Sequence, residues 1–156
     1  LEIGGLSSDS IQGDRVCLDI LDRLSCPGAV IDLSDCPDLG PVMFAVAAAE
    51  YGADFTGTRR LRIKELDRAQ AMADELIKFG ITAEIGENSV RILPGKLLPP
   101  TQKLSGHNDH RIIMAMTILA SLVGGEIEGT EAIKKSYPDF FEVLCRAGLE
   151  TENGIQ

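Results

Sequence analysis

Two helix-like segments of this 156-residue chain carry too few polar residues to lie on a protein surface. Residues 42–49 are apolar on every side, and residues 111–122 are nearly so. A surface helix keeps a polar face, so helices of this composition are expected to be buried all round. Strand-like and helix-like stretches alternate along the chain, which is the pattern of an α/β fold. We therefore predict a single α/β domain over residues 1–156, with these helices packed within sheets.

The spacing of apolar side chains divides the rest of the chain into short elements. Extended segments are predicted over residues 1–6, 29–33, 53–63, 81–85, 89–93 and 126–133. Helices are predicted over residues 16–24, 66–79 and 136–147, where apolar residues recur at steps of three and four. Residues 94–106 hold three prolines and two glycines and are predicted to form a loop.

Capping and turn residues mark the ends of the predicted helices. Pro41 suits the first turn of the first apolar helix, and residues 108–109 (Asn-Asp) are expected to cap the second. Residues 136–139 form a variant of the capping box with Asp in place of Glu. Gly80 and Gly148 are expected to end the helices that precede them.

The composition excludes several classes of protein. A net charge of −9 with only 4% aromatic residues argues against a nucleic-acid partner and against an anionic membrane surface. The longest apolar runs are too short to cross a bilayer. Four cysteines without a C-x-x-C pair and two histidines predict no metal site. Scattered thiols favour a reducing cytoplasm, although the count leaves a disulfide open. The chain begins with Leu1 and has no signal peptide, so we expect a piece of a longer protein.

Basic residues are concentrated in one part of this acidic chain. Residues 59–68 contain five basic and only two acidic side chains. Such a cluster in an acidic protein indicates a site for an anionic small molecule. A solvated strand edge guarded by charges explains the arginines at 59, 60 and 62 equally well, and that alternative stays open.

Charged residues are also placed just before or within the first turn of predicted helices. They are Asp38, Lys64, Glu65, Arg68, His110, Arg111 and Lys135. Helix N-termini present free N–H groups and a positive dipole end, which bind anions. A cation there opposes the dipole by ~0.3–1 kcal/mol, so we expect a bound anion to compensate. Structural roles remain open, with Asp109 as a cap, His110 as a structural residue and Asp67 paired with Arg68.

Three motifs occur in a specific order. They are RIKELDR at residues 62–68, NDHRIIMA at 108–115 and KSYPDFF at 135–141, accompanied by SIQGD at 10–14 and DCPDLGP at 35–41. Together they resemble the C-terminal part of the 5-enolpyruvylshikimate-3-phosphate synthase (3-phosphoshikimate 1-carboxyvinyltransferase) family, over nearly the whole chain. They differ from the motifs of the sister family that acts on UDP-N-acetylglucosamine.

The resemblance implies an architecture and a reaction. The family has two similar domains of repeated β-α-β-α-β-β units with helices inside a shell of sheets, and this chain would be the C-terminal half without the N-terminal domain. The implied reaction moves the enolpyruvyl group of phosphoenolpyruvate to the 5-hydroxyl of shikimate 3-phosphate and releases phosphate. It proceeds by addition and elimination, without metal or organic cofactor, in cytoplasmic aromatic amino-acid biosynthesis.

The resemblance also assigns substrate-binding cations. Arg68, Arg111 and Lys135 correspond to phosphoenolpyruvate ligands, and Lys64 corresponds to a contact of shikimate 3-phosphate. Both substrates are polyanions, so cations are needed to offset their repulsion. Arginine binds carboxylate or phosphate through two parallel hydrogen bonds, which suits it to this role.

Proton transfer falls to three further residues by the same resemblance. Asp38 matches the proton acceptor for the 5-hydroxyl, Glu65 the proton donor or shuttle, and His110 a donor beside the phosphate. General acid–base help of this kind contributes ~10²–10⁴-fold. The sequence departs from the family at Leu66, where Ser or Thr is usual, and at Arg60, to which we assign no role.

Two other functions remain open at this stage. One is an enolpyruvyl transferase of the same fold with a different acceptor, and the other is a non-catalytic module that binds anions. A module without catalysis would have no need of the whole charged set, which favours the enzyme. We expect this chain alone to be inactive or nearly so, because positioning fails when half of the positioning groups are missing.

Overall fold

The computed structural model describes residue 11 and residues 13–63 and 66–151. The described residues form five α-helices: α1 (Cys17–Leu24), α2 (Gly40–Ala49), α3 (Arg68–Leu76), α4 (His110–Val123) and α5 (Phe140–Arg146). They form six strands: β1 (Val30–Asp32), β2 (Ala53–Thr56), β3 (Ala83–Ile85), β4 (Ser89–Ile92), β5 (Leu104–Ser105) and β6 (Ile127–Glu128). Short 3₁₀ helices lie at Gly13–Val16, Pro37–Leu39, Thr58–Ile63, Ile77–Phe79 and Thr130–Lys135. The strand predicted over residues 1–6 lies outside the described residues.

The strands form two sheets that follow one repeated order of elements. The first sheet has the order β1-β2-β4-β3, with β1 parallel to β2 and the β3–β4 hairpin antiparallel. In the second sheet β5 is parallel to β6. The run β1-α2-β2-α3-β3-β4 is a complete β-α-β-α-β-β unit, and β5-α4-β6-α5 repeats its first four elements. The predicted α/β fold class is therefore confirmed.

The first apolar helix is largely buried, as its composition predicts, with Val42 and Val46 half-buried. The prediction that the second apolar helix is buried all round was wrong, because Ile118 and Leu122 of α4 are exposed. α2 packs against α1, α3 and α4 as well as β4, so neighbouring helices supply part of its cover. Phe44 on α2 meets Phe55 of β2 edge to face, with ring centroids 4.8 Å apart. Burial of these side chains stabilises the fold by about 1.5–3 kcal/mol each. α2 and α4 therefore pack against each other at the centre of the core.

Several predicted boundaries were wrong because short 3₁₀ helices replace extended chain. The strand predicted over residues 53–63 ends at Thr56, since Gly57 adopts a positive φ of 69° and turns the backbone. The strand predicted over 126–133 is likewise only β6, followed by a 3₁₀ helix. The predicted loop 94–106 is also too long, because Leu104 and Ser105 within it form strand β5.

The predicted helix ends are confirmed with one exception. The sequence did not indicate the cap of α3, where Asp67 accepts a hydrogen bond from the backbone N–H of Gln70 at 3.0 Å. Gly80 adopts φ 81° where that helical segment ends, and Gly148 follows α5 with φ 99°. The capping box predicted at residues 136–139 was wrong: α5 begins after Asp139, whose side chain accepts no capping hydrogen bond within the described part of the chain.

Two further observations concern the described residues as a whole. All four cysteines have free thiols. None of the helices that the structure describes is both long and apolar enough to span a bilayer.

Candidate functional site

Asp38 lies at the start of α2 and joins two arginines from distant segments. It sits in the 3₁₀ turn Pro37–Leu39, after which Pro41 fixes the first turn of α2. Its Oδ1 accepts a hydrogen bond from Nη1 of Arg68 at 3.0 Å, and its Oδ2 accepts one from Nη2 of Arg111 at 3.0 Å. Its backbone carbonyl also accepts from Nη1 of Arg111 at 3.3 Å. One carboxylate therefore holds two guanidinium groups side by side.

Arg68 is the first residue of α3 and is almost fully buried. Its side chain is 2% exposed, and its Nε donates to Oδ2 of Asp109 at 2.7 Å. A buried cation is tolerated only where close acceptors replace its hydration. The carboxylates of Asp38 and Asp109 meet that need from two directions, so the position and the charge of this guanidinium are both fixed.

Asp109 couples this ion pair to the beginning of α4. Its Oδ1 accepts from the backbone N–H of Arg111 at 2.9 Å, the capping hydrogen bond expected at this position. Its Oδ2 binds Arg68, and its side chain is 1% exposed. A single buried carboxylate thus sets the orientation of α4 and, with it, the place from which Arg111 extends.

Lys135 reaches the same region from the end of the 3₁₀ helix Thr130–Lys135. Its Nζ donates to Oδ1 of Asn108 at 2.8 Å and to the carbonyl of Asn108 at 3.2 Å. Asn108 directly precedes Asp109, so the lysine lies beside the capped end of α4. The prediction that a helix begins at residue 136, just after Lys135, was wrong, because Pro138 disfavours helical backbone at the residue before it and α5 begins only at Phe140.

The structure divides the basic cluster of residues 59–68. Arg62 forms an exposed ion pair with Asp67 at 3.2 Å, and Arg60 donates to the carbonyl of Ser34 at 3.2 Å. Asp67 therefore pairs with Arg62 and not with Arg68, which was the local pairing that the sequence left open. Only Arg68 among the described arginines of this cluster turns inward.

The remaining predicted site residues stand as follows. His110 is the first residue of α4, between Asp109 and Arg111, and is half-buried. Lys64 and Glu65 lie outside the described residues. The described part of the site unites Asp38, Arg68 and Arg111 through direct contacts, with Lys135 reaching it through Asn108. Sequence reasoning gave Asp109 only a capping role, and no local signal indicates its bond to Arg68, 41 residues away.

Three segments, which carry Arg68, Arg111 and Lys135, thus place positive charge near one half-buried carboxylate. The side chains of Asp38 and Arg111 are each 34% exposed, and Lys135 is exposed, while Arg68 and Asp109 are sealed beneath them. The α3 and α4 N-termini add partial positive charge at the same place. Such a surface is suited to binding a small dianion next to the carboxylate of Asp38.

Comparisons with known proteins show which family the chain resembles. The sequence profile of the family EPSP synthase (3-phosphoshikimate 1-carboxyvinyltransferase) matches residues 6–144. The 3-phosphoshikimate 1-carboxyvinyltransferase of Clostridium kluyveri is 39% identical over 95% of this chain and 39% of its own length. That of Clostridium acetobutylicum is 40% identical over 92% of this chain and 37% of its own length.

A solved structure shares the fold. The EPSP synthase from Acinetobacter baumannii superposes with a TM-score of 0.67 at 33% identity, over 77% of this chain and 28% of that chain. The chain therefore spans about two fifths of the length of the curated relatives it matches.

Proposed function

This chain belongs to the EPSP synthase (3-phosphoshikimate 1-carboxyvinyltransferase) family, and we propose that it forms one wall of that enzyme's active-site cleft. The reaction transfers the enolpyruvyl group of phosphoenolpyruvate to the 5-hydroxyl of shikimate 3-phosphate and releases phosphate. One observation carries the proposal: the carboxylate of Asp38 lies 3.0 Å from the guanidinium groups of both Arg68 and Arg111. Anion-binding groups and a proton acceptor are thus in direct contact.

The exposure of the three cations suggests how they bind phosphoenolpyruvate. Arg111 and Lys135 face solvent in part and make the first contacts with the incoming phosphate and carboxylate. Arg68 is held from below by Asp109 and supplies fixed positive charge without losing rotamer entropy on binding. A guanidinium that is already oriented binds an anion at lower entropic cost than a mobile side chain does.

Proton transfer follows from the position of Asp38 among these cations. A bound phosphoenolpyruvate gives Arg111 a second anion to bind, which weakens its hold on Asp38, while the buried Arg68 contributes fixed positive charge from beneath. Asp38 then accepts the proton of the 5-hydroxyl while the hydroxyl oxygen attacks the enol carbon of phosphoenolpyruvate. Glu65 protonates the methylene group, which becomes a methyl group. In the elimination, Glu65 takes a proton back from the new methyl group, the carbon–oxygen bond to phosphate breaks, and the carbon–carbon double bond re-forms. In this scheme His110 donates to the phosphate, and Lys64 contacts shikimate 3-phosphate.

The rest of the cleft is proposed to come from an N-terminal domain of the same enzyme. The relatives are more than twice as long as this chain, and a cleft needs two walls to exclude water and align two substrates. The chain is accordingly proposed to be the C-terminal half of a two-domain transferase of the cytoplasm, inactive or nearly so when isolated.

An assay of phosphate release tests this function. The chain is joined to the N-terminal domain of a relative and supplied with phosphoenolpyruvate and shikimate 3-phosphate. Asp38→Ala is expected to lower turnover by ~10²–10⁴-fold, the contribution of general acid–base catalysis. The matched control is Asp54→Ala, which removes an exposed aspartate that pairs with Arg91 on the first sheet and is expected to keep full turnover.

Each other outcome contradicts a stated part of the proposal. Unchanged turnover in Asp38→Ala removes this residue from the mechanism. Turnover with UDP-N-acetylglucosamine in place of shikimate 3-phosphate identifies a transferase with a different acceptor. Binding of phosphoenolpyruvate without release of phosphate from any acceptor supports the non-catalytic module.

A further inference from the structure

A second buried carboxylate lies on α3, outside the proposed mechanism. Glu75 is 1% exposed, and both of its oxygens are occupied. Oε1 accepts from Nε2 of His107 at 2.8 Å and from Nζ of Lys78 at 3.0 Å. Oε2 accepts from the backbone N–H of Ser105 at 2.9 Å and from the same lysine at 2.9 Å. This glutamate therefore binds the chain at two points just before α4.

The segment that Glu75 holds has an unusual backbone. His107 and Asn108 are consecutive residues with positive φ, 48° and 54°, and they are the only such non-glycine residues in the described part of the chain. L-residues adopt this conformation at a cost, and it persists where surrounding contacts fix it. Here the backbone N–H of His107 donates to Oγ of Ser105 at 3.1 Å, and that of Asp109 donates to the carbonyl of Gly106 at 2.9 Å.

The conformation of this segment determines where two site cations are held. The turn at Asn108 directs its carbonyl and side-chain oxygens to Nζ of Lys135. The next residue, Asp109, binds Arg68 and caps the helix that carries Arg111. A shift of the turn would move the acceptors of Lys135 and the cap of α4 together.

α3 holds this turn from two positions on one face. Arg68 and Glu75 are seven residues apart, which corresponds to about two helical turns and a rise of ~10 Å. Arg68 binds Asp109 after the turn, and Glu75 binds Ser105 and His107 before it. The turn is thus held at both ends by a single rigid helix.

We propose that Glu75 and His107 are positioning residues, which fix the turn at 105–109 and thereby set the spacing of Arg111 and Lys135 for their anion. The inference rests on the proposed function and deepens it, because it names the groups that preorganise its anion site. His107 is the better residue to change, since its side chain is 25% exposed whereas that of Glu75 is 2% exposed.

The experiment compares His107→Ala with a conservative variant, His107→Gln, whose amide N–H is able to donate to Glu75. Two quantities are measured on the full chain: the affinity for phosphoenolpyruvate, and the ligand-free NMR signals of the amides at residues 108–111. His107→Ala is expected to shift these amide signals and to weaken binding roughly tenfold. His107→Gln is expected to restore most of both. The control is Ile92→Val, a core change in β4 that lowers the thermal midpoint but is expected to keep the wild-type affinity.

Three results overturn the inference. They are wild-type amide signals in His107→Ala, wild-type affinity in the same variant, and a loss of affinity in Ile92→Val as large as that in His107→Ala. Failure of the proposed function has a different signature, since the wild-type chain then binds no phosphoenolpyruvate. In that case the ligand-free amide signals still decide whether His107 fixes the turn.

Discussion

Replacing Asp109 with asparagine separates the two tasks of this buried carboxylate. Asparagine keeps one oxygen that is able to cap α4 at the backbone N–H of Arg111, and it is among the best capping residues. The second carboxylate oxygen, which accepts from Nε of Arg68 at 2.7 Å, is replaced by an NH₂ group. That group is a donor and faces the Nε–H donor of Arg68. A flip of the amide restores the contact with Arg68 and places the NH₂ group against the backbone donor instead. Either orientation leaves two donors facing each other.

The size of the effect follows from burial. Arg68 and Asp109 are 2% and 1% exposed, and removing one partner of such an ion pair costs about 3–5 kcal/mol. Arg68 retains its contact with Asp38, which places Asp109→Asn near the lower end, at about 3 kcal/mol of unfolding free energy. Asp109→Ala removes the cap as well, which adds about 1 kcal/mol. The exposed pair of Arg146 and Glu142 provides the contrast, since Glu142→Gln is expected to cost less than about 1 kcal/mol.

Equilibrium unfolding in urea measures all three variants. The account predicts the order of stability wild type, Glu142→Gln, Asp109→Asn and Asp109→Ala, with the large step between the second and the third. If Asp109→Asn is as stable as Glu142→Gln, the ion pair does not fix Arg68, and the argument from burial fails. If Asp109→Ala and Asp109→Asn are equal, the capping contribution is wrong.

Two further predictions concern pH. Burial, and then the charges of three nearby aspartates, raises the pKa of the Cys36 thiol above its ordinary value of 9.0. The stability contributed by the neutral thiol is complete below pH 9.0 and declines above it. Iodoacetamide should therefore modify the exposed Cys26 well before the buried Cys36. Equal rates of modification at the two cysteines would contradict the raised pKa of Cys36. The hydroxyl of Ser34, and to a smaller extent its backbone N–H, donate hydrogen bonds to Asp32 and lower the pKa of that carboxyl below 3.8. The stability that the ionised Asp32 contributes is therefore lost as the pH falls through its pKa in the folded protein. Ser34→Ala should raise the pKa of Asp32 toward 3.8 in an NMR titration, and an unchanged value would refute the assigned cause.

The parts of the fold that follow from sequence are those set by composition and periodicity. The apolar segment 42–49 could only be a buried helix, and it is the centre of the core. The failed prediction over residues 58–63 has a clear cause. Thr58 and Leu61 are the buried residues of this 3₁₀ helix, and the alternation of Arg60 and Arg62 with apolar residues imitates the period of a strand. Residues 58–63 follow the period of a 3₁₀ helix and not that of a strand because Leu61 packs against Gly40, a residue of another element.

The candidate site was likewise predictable only in part: its charged residues were found from sequence, but not all of their contacts. Charges at predicted helix starts made Asp38, Arg68, Arg111 and Lys135 candidates from sequence, and the motif resemblance assigned a role to each. The resemblance did not indicate that Asp109 would be the buried partner of Arg68, because the cap is a local signal whereas the ion pair joins two helices. Contacts of this kind depend on how α3 and α4 pack, which no short motif encodes.

A titration of the isotope-labelled chain with phosphoenolpyruvate examines the convergence of charges most directly. The side-chain NMR signals of Arg68, Arg111 and Lys135 report on the cations that surround Asp38, and Arg91, which pairs with an aspartate on the first sheet, serves as the internal reference. The account predicts that the signals of the three cations shift together along one saturable curve while the signal of Arg91 stays in place. Saturable shifts at Arg91 and none at the other three would contradict it.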